Sequence, residues 1–291
     1  DLVIAMWWRP RGAATWTWTD ADGPARLQAE LAEHGHTVCA FDRRAAADDP
    51  WHLAARLLGA RPRMVERQPI RPVAHGRSYA STAGPTPLHS DSQRFAGRPP
   101  RLQLMLCLRP AARGGVTTLL DTRALLADLA AGDPQLHADL HRCDRTIPFV
   151  AGPIVGPTVV TDAGDTWFTH SPMPPTDPIG ERLAPWLARA RVTELRLVAG
   201  DLLVVDNHRM LHGRTAFTGP RELVRLLIWP TTAPSPAQRR LDLVLDLLHG
   251  AAPGQLAHRE HLDEPALYRW RDRALAAALA ALDDPEPGDR R

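Results

Sequence analysis

The chain has 291 residues, 44% of them hydrophobic, enough to bury a sizeable core and unlike a disordered or fibrous sequence. Its formal net charge is +2 and every basic residue is arginine, scattered without a block of like charge, so no nucleic-acid-binding arm is indicated. No apolar run approaches the roughly 18–20 residues that span a bilayer, and Cys39, Cys107 and Cys143, without CxxC spacing, make neither a disulfide framework nor a zinc knuckle.

That cysteine usage fits a reducing, cytoplasmic setting. The opening "DLVIAMWWRPRG" lacks the basic start and long apolar stretch of a signal peptide, although a start at Asp1 leaves a trimmed leader open. "PARLQAELAEHG" predicts a helix with Pro24 in its first turn and Gly35 as its stop. "HTVCAF" reads as a buried strand, and "PWHLAARLLG" as a second helix ended by Gly59. "RPVAHGRSYASTAGPTP" is too rich in Pro, Gly and Ser for regular structure and reads as an ordered loop.

"RLQLMLCLRP" and "GGVTTLLD" have the length and punctuation of strands. The helix "DTRALLADLAAG" follows, capped by Asp121 and stopped by Gly132, and "DPQLHADLHRC" reads as another. "RTIPFV" is extended, and "PTVVTDAGDTWFTH" is a hairpin around Asp-Ala-Gly-Asp. A helix in "GERLAPWLARAR" leads to two strands in "ELRLVAGDLLVVDN", and "RELVRLLIWP" is the last strand, ended by Pro230. Residues 237–283 are helical by pattern, with Leu241, Val244, Leu245 and Leu248 on one stripe. No repeat or low-complexity linker interrupts the chain. The pattern predicts one β-rich α+β domain over 1–291, with its core at about 63–230 and a helical C-terminal extension at about 237–283.

Three His-x-Asp triplets occur, at His89/Asp91, His137/Asp139 and His261/Asp263. Residues i and i+2 share a face on an extended chain but lie about 200° apart on a helix. His137/Asp139 falls in a helical pattern. Asp263, at the start of the C-terminal helix, suits an N-cap better than a ligand. Only His89/Asp91, in "TPLHSDSQRF", has the extended context that lets both side chains reach one ion. "GDLLVVDNHRMLHGRTAF" adds His208 and His212 directly after an apolar strand, each open to reading as a plain loop histidine. Arg221 and Arg225 in "RELVRLLIWP" are four apart and share a strand face. A guanidinium facing a core needs a carboxylate or phosphate, and either an internal ion pair or an anionic cosubstrate meets that need.

Taken together, "PLHSDSQRF", "CLRPAARGGVTTLLD", "DLLVVDNHRMLHGRTAF" and "RELVRLL" resemble, in order, four motifs of the Fe(II)/2-oxoglutarate-dependent oxygenases of the taurine dioxygenase and clavaminate synthase-like group. The likeness runs over roughly residues 50 to 230. It implies a double-stranded β-helix, or jelly roll, flanked by helices. It implies Fe(II) held by His89, Asp91 and His212, with 2-oxoglutarate and O2 as cosubstrates, and leaves His208 a structural role. By the same likeness Thr117 helps hold 2-oxoglutarate, Arg225 grips its distal carboxylate and Arg221 lies near the carboxylate end beside the iron. Halogenating members lack the carboxylate ligand, so the presence of Asp91 points to a hydroxylase or a related oxidation rather than chlorination.

Substrate contacts are expected from Arg77, Ser78, Tyr79, Ser81, Gln93 and Arg94 on one side and from Trp167, Phe168 and His170 on the other. The likeness inclines the substrate towards a small amino acid or amino-acid-derived molecule of natural product biosynthesis, free, carrier-bound or in a peptide. Two rivals stand beside this reading. One is a jelly-roll protein that binds a metal or small molecule without oxygen chemistry. The other is a hydrolase using Ser78, Asp206 and His212, whose elbow would need a strand before Ser78, a helix after it and glycine where Ala80 stands.

Overall fold

A computed structural model describes residues 16–17, 22–41, 54–55, 62–76, 78–91, 98–149, 152–162, 164–230 and 236–283. By internal contacts the chain divides into two compact units, 1–230 and 231–291. Most of the predicted helix "PWHLAARLLG" lies outside the described residues. No helix among them is long and apolar enough to cross a membrane.

The first unit opens with α1 (Gly23–His34), which has Pro24 in its first turn. Gly35 ends it at φ 74°, a left-handed conformation in which its N–H reaches the Leu31 carbonyl. Six extended segments follow: β1 (His36–Ala40), β2 (Pro62–Ile70), β3 (Thr86–His89), β4 (Leu102–Arg109), β5 (Arg113–Gly114) and β6 (Thr117–Asp121). The helices α2 (Thr122–Gly132) and α3 (Pro134–Arg142) come next. Asp121 caps α2 through the Arg123 N–H, as its position in the sequence predicts.

The ribbons β7 (Arg145–Ile147) with β8 (Ile154–Gly156), and β9 (Val159–Asp162) with β10 (Asp165–Phe168), precede α4 (Pro178–Arg189). The unit closes with β11 (Thr193–Leu195), β12 (Asp201–Asp206), β13 (Met210–Arg214), β14 (Phe217–Thr218) and β15 (Glu222–Pro230).

Two antiparallel sheets result, one in the order β1-β12-β4-β15-β2 and one in the order β11-β6-β13-β3. Strand alternation sorts their side chains into layers. Met105, Cys107, Leu203, Val205 and Leu223 of the first sheet join Leu119 and Met210 of the second in one apolar cluster. The other face of the five-stranded sheet packs Leu104, Leu106, Leu202, Val204 and Ile228 with Leu27 of α1. The other face of the four-stranded sheet packs Leu120 and Leu211 against Leu125 and Leu129 of α2, Leu136 and Leu140 of α3, and Leu183 of α4. Burial on both faces explains why "LQLMLCLR" reads as a continuous apolar run, each buried leucine contributing about 1.5–3 kcal/mol. The architecture is α+β, with helices flanking antiparallel sheets.

Sequence reasoning assigned no strand to β2. It lies at the edge beyond β15, half-buried along most of its length, where Pro62 and Pro69 are tolerated because one side of an edge strand need not donate. The second unit comprises α5 (Pro236–Leu248), α6 (Pro253–Glu260) and α7 (Glu264–Leu282) around Leu243, Leu256, Ala257 and Leu267. Its buried stripe on α5 runs through Leu243 and Val244, whereas Leu245 and Leu248 of the predicted stripe are exposed. Asp263 stands at the N-cap position of α7 without a capping bond, and pairs with Arg269 at 3.2 Å.

Candidate metal centre

The site is assembled where the second sheet meets the turn after β12. β13 pairs with β3 in a register that sets His212 opposite His89, and the two rings lie 4.2 Å apart, centroid to centroid. Close approach of these strands requires Gly213, because a Cβ there would stand 2.8 Å from the Thr86 carbonyl and 2.9 Å from Thr118 Oγ1. Asp91 follows His89 by two residues and is fixed by Asn207. The Asn207 Oδ1 accepts the Asp91 N–H at 2.8 Å, and its Nδ2 donates to the Asp91 carbonyl at 3.0 Å and the Pro100 carbonyl at 2.9 Å. Thus the single asparagine ties the His89–Asp91 segment to the turn that launches β13.

One ligand atom each from His89, Asp91 and His212 lies within 4.8 Å of the others. His89 Nδ1 is 2.9 Å from the Pro87 carbonyl, which fixes the proton there and leaves the Nε2 lone pair for an ion. Burial lowers the basicity of both rings. His212 is pushed down to about 3 by burial and by His89, and His89 is lowered chiefly by burial, so both are neutral donors at pH 7. Burial pushes the Asp91 carboxyl up, but Arg225, His212, His89 and the Gln103 amide outweigh it and hold it ionised. Two neutral imidazoles and one carboxylate on one face suit an octahedral Fe(II) with open positions. The donor set therefore fits ferrous ion.

These residues open onto a cavity of ≈ 360 Å³ lined also by Ser78, Tyr79, Thr117, Arg221 and Arg225. Gly114 and Gly115, at φ 69° and 67°, carry the chain from β5 into β6 and so place Thr117 in this wall. Arg225 Nη1 donates to Asp91 Oδ1 at 2.7 Å, and Nη2 donates to Gln68 Oε1. Arg221 is 7% exposed, packs its guanidinium 5.4 Å from the Phe217 ring centre, and meets no carboxylate among the described residues. Burial and neighbouring Arg214 push it down to about 10. Arg214 itself is spent on the carbonyls of Tyr79, Thr82 and Gly84.

The predicted substrate residues separate. Ser78 and Tyr79 line the cavity, whereas Ser81 turns back to close a capping box with Ser78. Arg77, Gln93 and Arg94 lie outside the described residues. Trp167 and Phe168 do not line this wall. Phe168 is 2% exposed in the helix-facing core, and Trp167 packs on His208 beside a different cavity. His170 faces a neighbouring proline-rich cavity with Pro174 and Pro175. His208 is buried with Nε2 3.1 Å from the Pro99 carbonyl, in keeping with a structural role. No hydrolytic triad forms, because Asp206 is occupied by Arg101 at 2.9 Å and by the His208 N–H, while His212 meets Asp91 and Gln103. Gln103 and Gln68 were missed. Gln103 is the one polar residue within the apolar run of β4, a signal present in the sequence.

The depressed histidines are expected to make the metal-free protein acid-labile. His212 at about 3 and His170 at about 4 lie below the ordinary value of 6.5, so the unfolded chain takes up their protons first. Their stabilisation is complete above pH ~6.5 and drains away as pH falls towards 4, by about 2 kcal/mol per histidine at pH 5. Urea unfolding of metal-free protein at pH 7.5, 6 and 5 checks this, and a flat profile contradicts it. His170→Leu is expected to remove its own share of the slope.

A family model described as "Taurine catabolism dioxygenase TauD, TfdA family" matches residues 15–171 and 155–227. Among solved structures, an asparagine oxygenase in complex with Fe(II), 2S,3S-3-hydroxyasparagine and succinate is similar at 22% identity and TM-score 0.53, over 71% of this chain and 77% of that one. The non-heme iron oxygenase OrfP with Fe and alpha-ketoglutaric acid is similar at 20% identity and TM-score 0.50, over 71% and 78%. OrfP with Fe, succinate and (3S)-hydroxy-L-Arg is similar at 18% identity and TM-score 0.51, over 71% and 80%. No curated protein matches the chain significantly.

Proposed function

The chain belongs to the taurine catabolism dioxygenase TauD/TfdA family, and from that membership we propose that it is an Fe(II)- and 2-oxoglutarate-dependent oxygenase. It hydroxylates, or otherwise oxidises, an unactivated C–H of a small amino-acid-derived substrate in specialised metabolism. The observation that carries the reading is the convergence of His89, Asp91 and His212 in one cavity with a buried Arg221 that meets no carboxylate among the described residues. The two sheets sharing one apolar cluster support a jelly-roll description of the core.

When bound, iron and 2-oxoglutarate supply the oxidation, with dioxygen consumed and succinate and CO2 released. The chain's own residues hold and orient. His89 and His212 present neutral nitrogens, and Asp91 supplies the charge. The sequence likeness put Arg225 on the distal carboxylate and Arg221 beside the iron; the positions favour the reverse. Arg225 touches Asp91, so it stands at the metal end. Arg221 immediately precedes β15, four residues before Arg225, roughly 13 Å of extended chain. There it neighbours Arg214, whose strand partner is Thr117. Arg221 and Thr117 accordingly take the distal carboxylate, and Arg225 faces an anionic group of the substrate while steadying Asp91.

Hydroxyasparagine and hydroxyarginine in the similar structures support an amino-acid substrate, and a cavity of ≈ 360 Å³ suits a small one. The test is anaerobic reconstitution with Fe(II) and 2-oxoglutarate, followed by oxygen and detection of succinate. Slow, iron-dependent succinate formation is expected even without substrate. Protein that binds iron yet neither binds nor consumes 2-oxoglutarate overturns the reading in favour of a metal-binding jelly roll.

A further inference from the structure

The amide of Gln103 stands among the metal-binding atoms. Gln103 is 1% exposed, and its neighbours along β4 are Leu102, Leu104 and Met105. Its Nε2 lies 2.9 Å from His212 Nε2 and also donates to Asp91 Oδ2. Those two ligand atoms are themselves only 3.7 Å apart. An ion shared by them therefore has the end of Gln103 at its side. The other end of the amide, Oε1, is buried and without a hydrogen-bond partner among the described residues.

An amide NH2 is a poor neighbour for a cation, because its nitrogen lone pair is delocalised and its hydrogens carry positive charge. The carbonyl oxygen is a hard neutral donor of the kind that binds divalent ions. The last torsion of glutamine is broad, and half a turn exchanges the two ends without moving the rest of the side chain. That turn gives Oε1 the ion as its partner and carries the NH2 away from the ion to the buried position that Oε1 held. Asp91 keeps its second hydrogen bond throughout, since Oδ1 is held by Arg225.

We infer that Gln103 is a fourth protein group of the metal centre, whose Oε1 occupies one of the open positions and is displaced when 2-oxoglutarate chelates. The inference rests on the oxygenase reading for the identity of the displacing ligand, but not for the contact itself. It makes metal affinity and cosubstrate affinity respond in opposite directions at this residue, because whatever Gln103 contributes to the ion 2-oxoglutarate must replace.

The experiment uses full-length wild type, Gln103→Leu and Gln103→Glu, loaded with Mn(II). Calorimetry gives Mn(II) affinity without 2-oxoglutarate and then 2-oxoglutarate affinity on the Mn(II)-loaded protein. Water-proton relaxation counts exchangeable waters on the ion. Gln103→Leu is expected to weaken Mn(II) binding about tenfold, to tighten 2-oxoglutarate binding by a similar factor, and to raise the water count from about two to about three of six positions. Gln103→Glu, a stronger ligand that cannot donate to Asp91, is expected to tighten Mn(II) and weaken 2-oxoglutarate. A hydrogen-bonding strut for Asp91 gives a different pattern, and that pattern overturns the inference: both affinities fall in Gln103→Leu, or neither changes, with the water count constant. If the leucine variant does not fold, Gln103→Met carries the same predictions. Wild type that binds Mn(II) but no 2-oxoglutarate sinks the oxygenase reading, and the water count then still decides the role of Gln103.

Discussion

Asp91→Ala is expected to abolish oxygenation of the substrate, a loss of roughly a thousandfold or more in turnover, or about 4 kcal/mol of barrier. Asp91 is the only anionic member of the triad, and the two neutral imidazoles that remain cannot balance a divalent ion. The substitution also strands its neighbours. Arg225 has its Nη1 on Asp91 Oδ1 and its Nε already buried without a partner among the described residues. Removing the carboxylate leaves a guanidinium whose side chain is 12% exposed with Gln68 to satisfy it among the described residues. Breaking a buried pair from one side costs about 3–5 kcal/mol. Asp91→Ala should therefore lose stability in metal-free protein as well as turnover. Asp91→Asn, which keeps an acceptor towards Arg225, should recover part of the stability and none of the turnover. Succinate and product assays beside urea unfolding separate the two effects. Turnover of Asp91→Ala within tenfold of wild type would falsify the ligand assignment.

What the sequence made legible follows from the range of each signal. His89 and Asp91 were readable because i, i+2 on an extended chain is a local rule, and β3 is indeed extended up to His89. His212 was not separable from His208 by any local rule. Their difference is which strand each pairs with: His212 lies within β13, opposite His89, while His208 sits in the turn before it. Only the ordered likeness to a family chose between them. The expectation for Trp167 and Phe168 ignored a rule already in hand. Consecutive residues of a strand point to opposite faces, so β10 cannot send both towards one substrate, and it commits Phe168 to the core. β2 escaped because arginine, glutamate and two prolines mask its alternation. Its pairing is supplied by β15, more than 150 residues away, which no window on the sequence contains.

Arg225 of β15 and Arg221 just before it should give opposite signatures, and that contrast is the sharper test of the cosubstrate site. Arg221→Gln is expected to weaken 2-oxoglutarate binding by about 2–5 kcal/mol, from some thirtyfold to several thousandfold, the usual cost of removing one partner of a buried charged contact. The same substitution should leave metal-free protein as stable as wild type or more so. It removes a buried cation that burial and Arg214 already push down to about 10 and that meets no carboxylate among the described residues. Arg225→Gln should do the reverse. Asp91 loses the cation that holds it ionised, so metal affinity and stability fall, while 2-oxoglutarate affinity on metal-loaded protein changes by less than tenfold. Measuring 2-oxoglutarate affinity, metal affinity and urea unfolding for both variants separates the two roles. If the large loss of 2-oxoglutarate affinity appears in Arg225→Gln instead, the distal carboxylate belongs to Arg225, as the sequence likeness alone implied. The buried charge of Arg221 would then need a different anion to account for it.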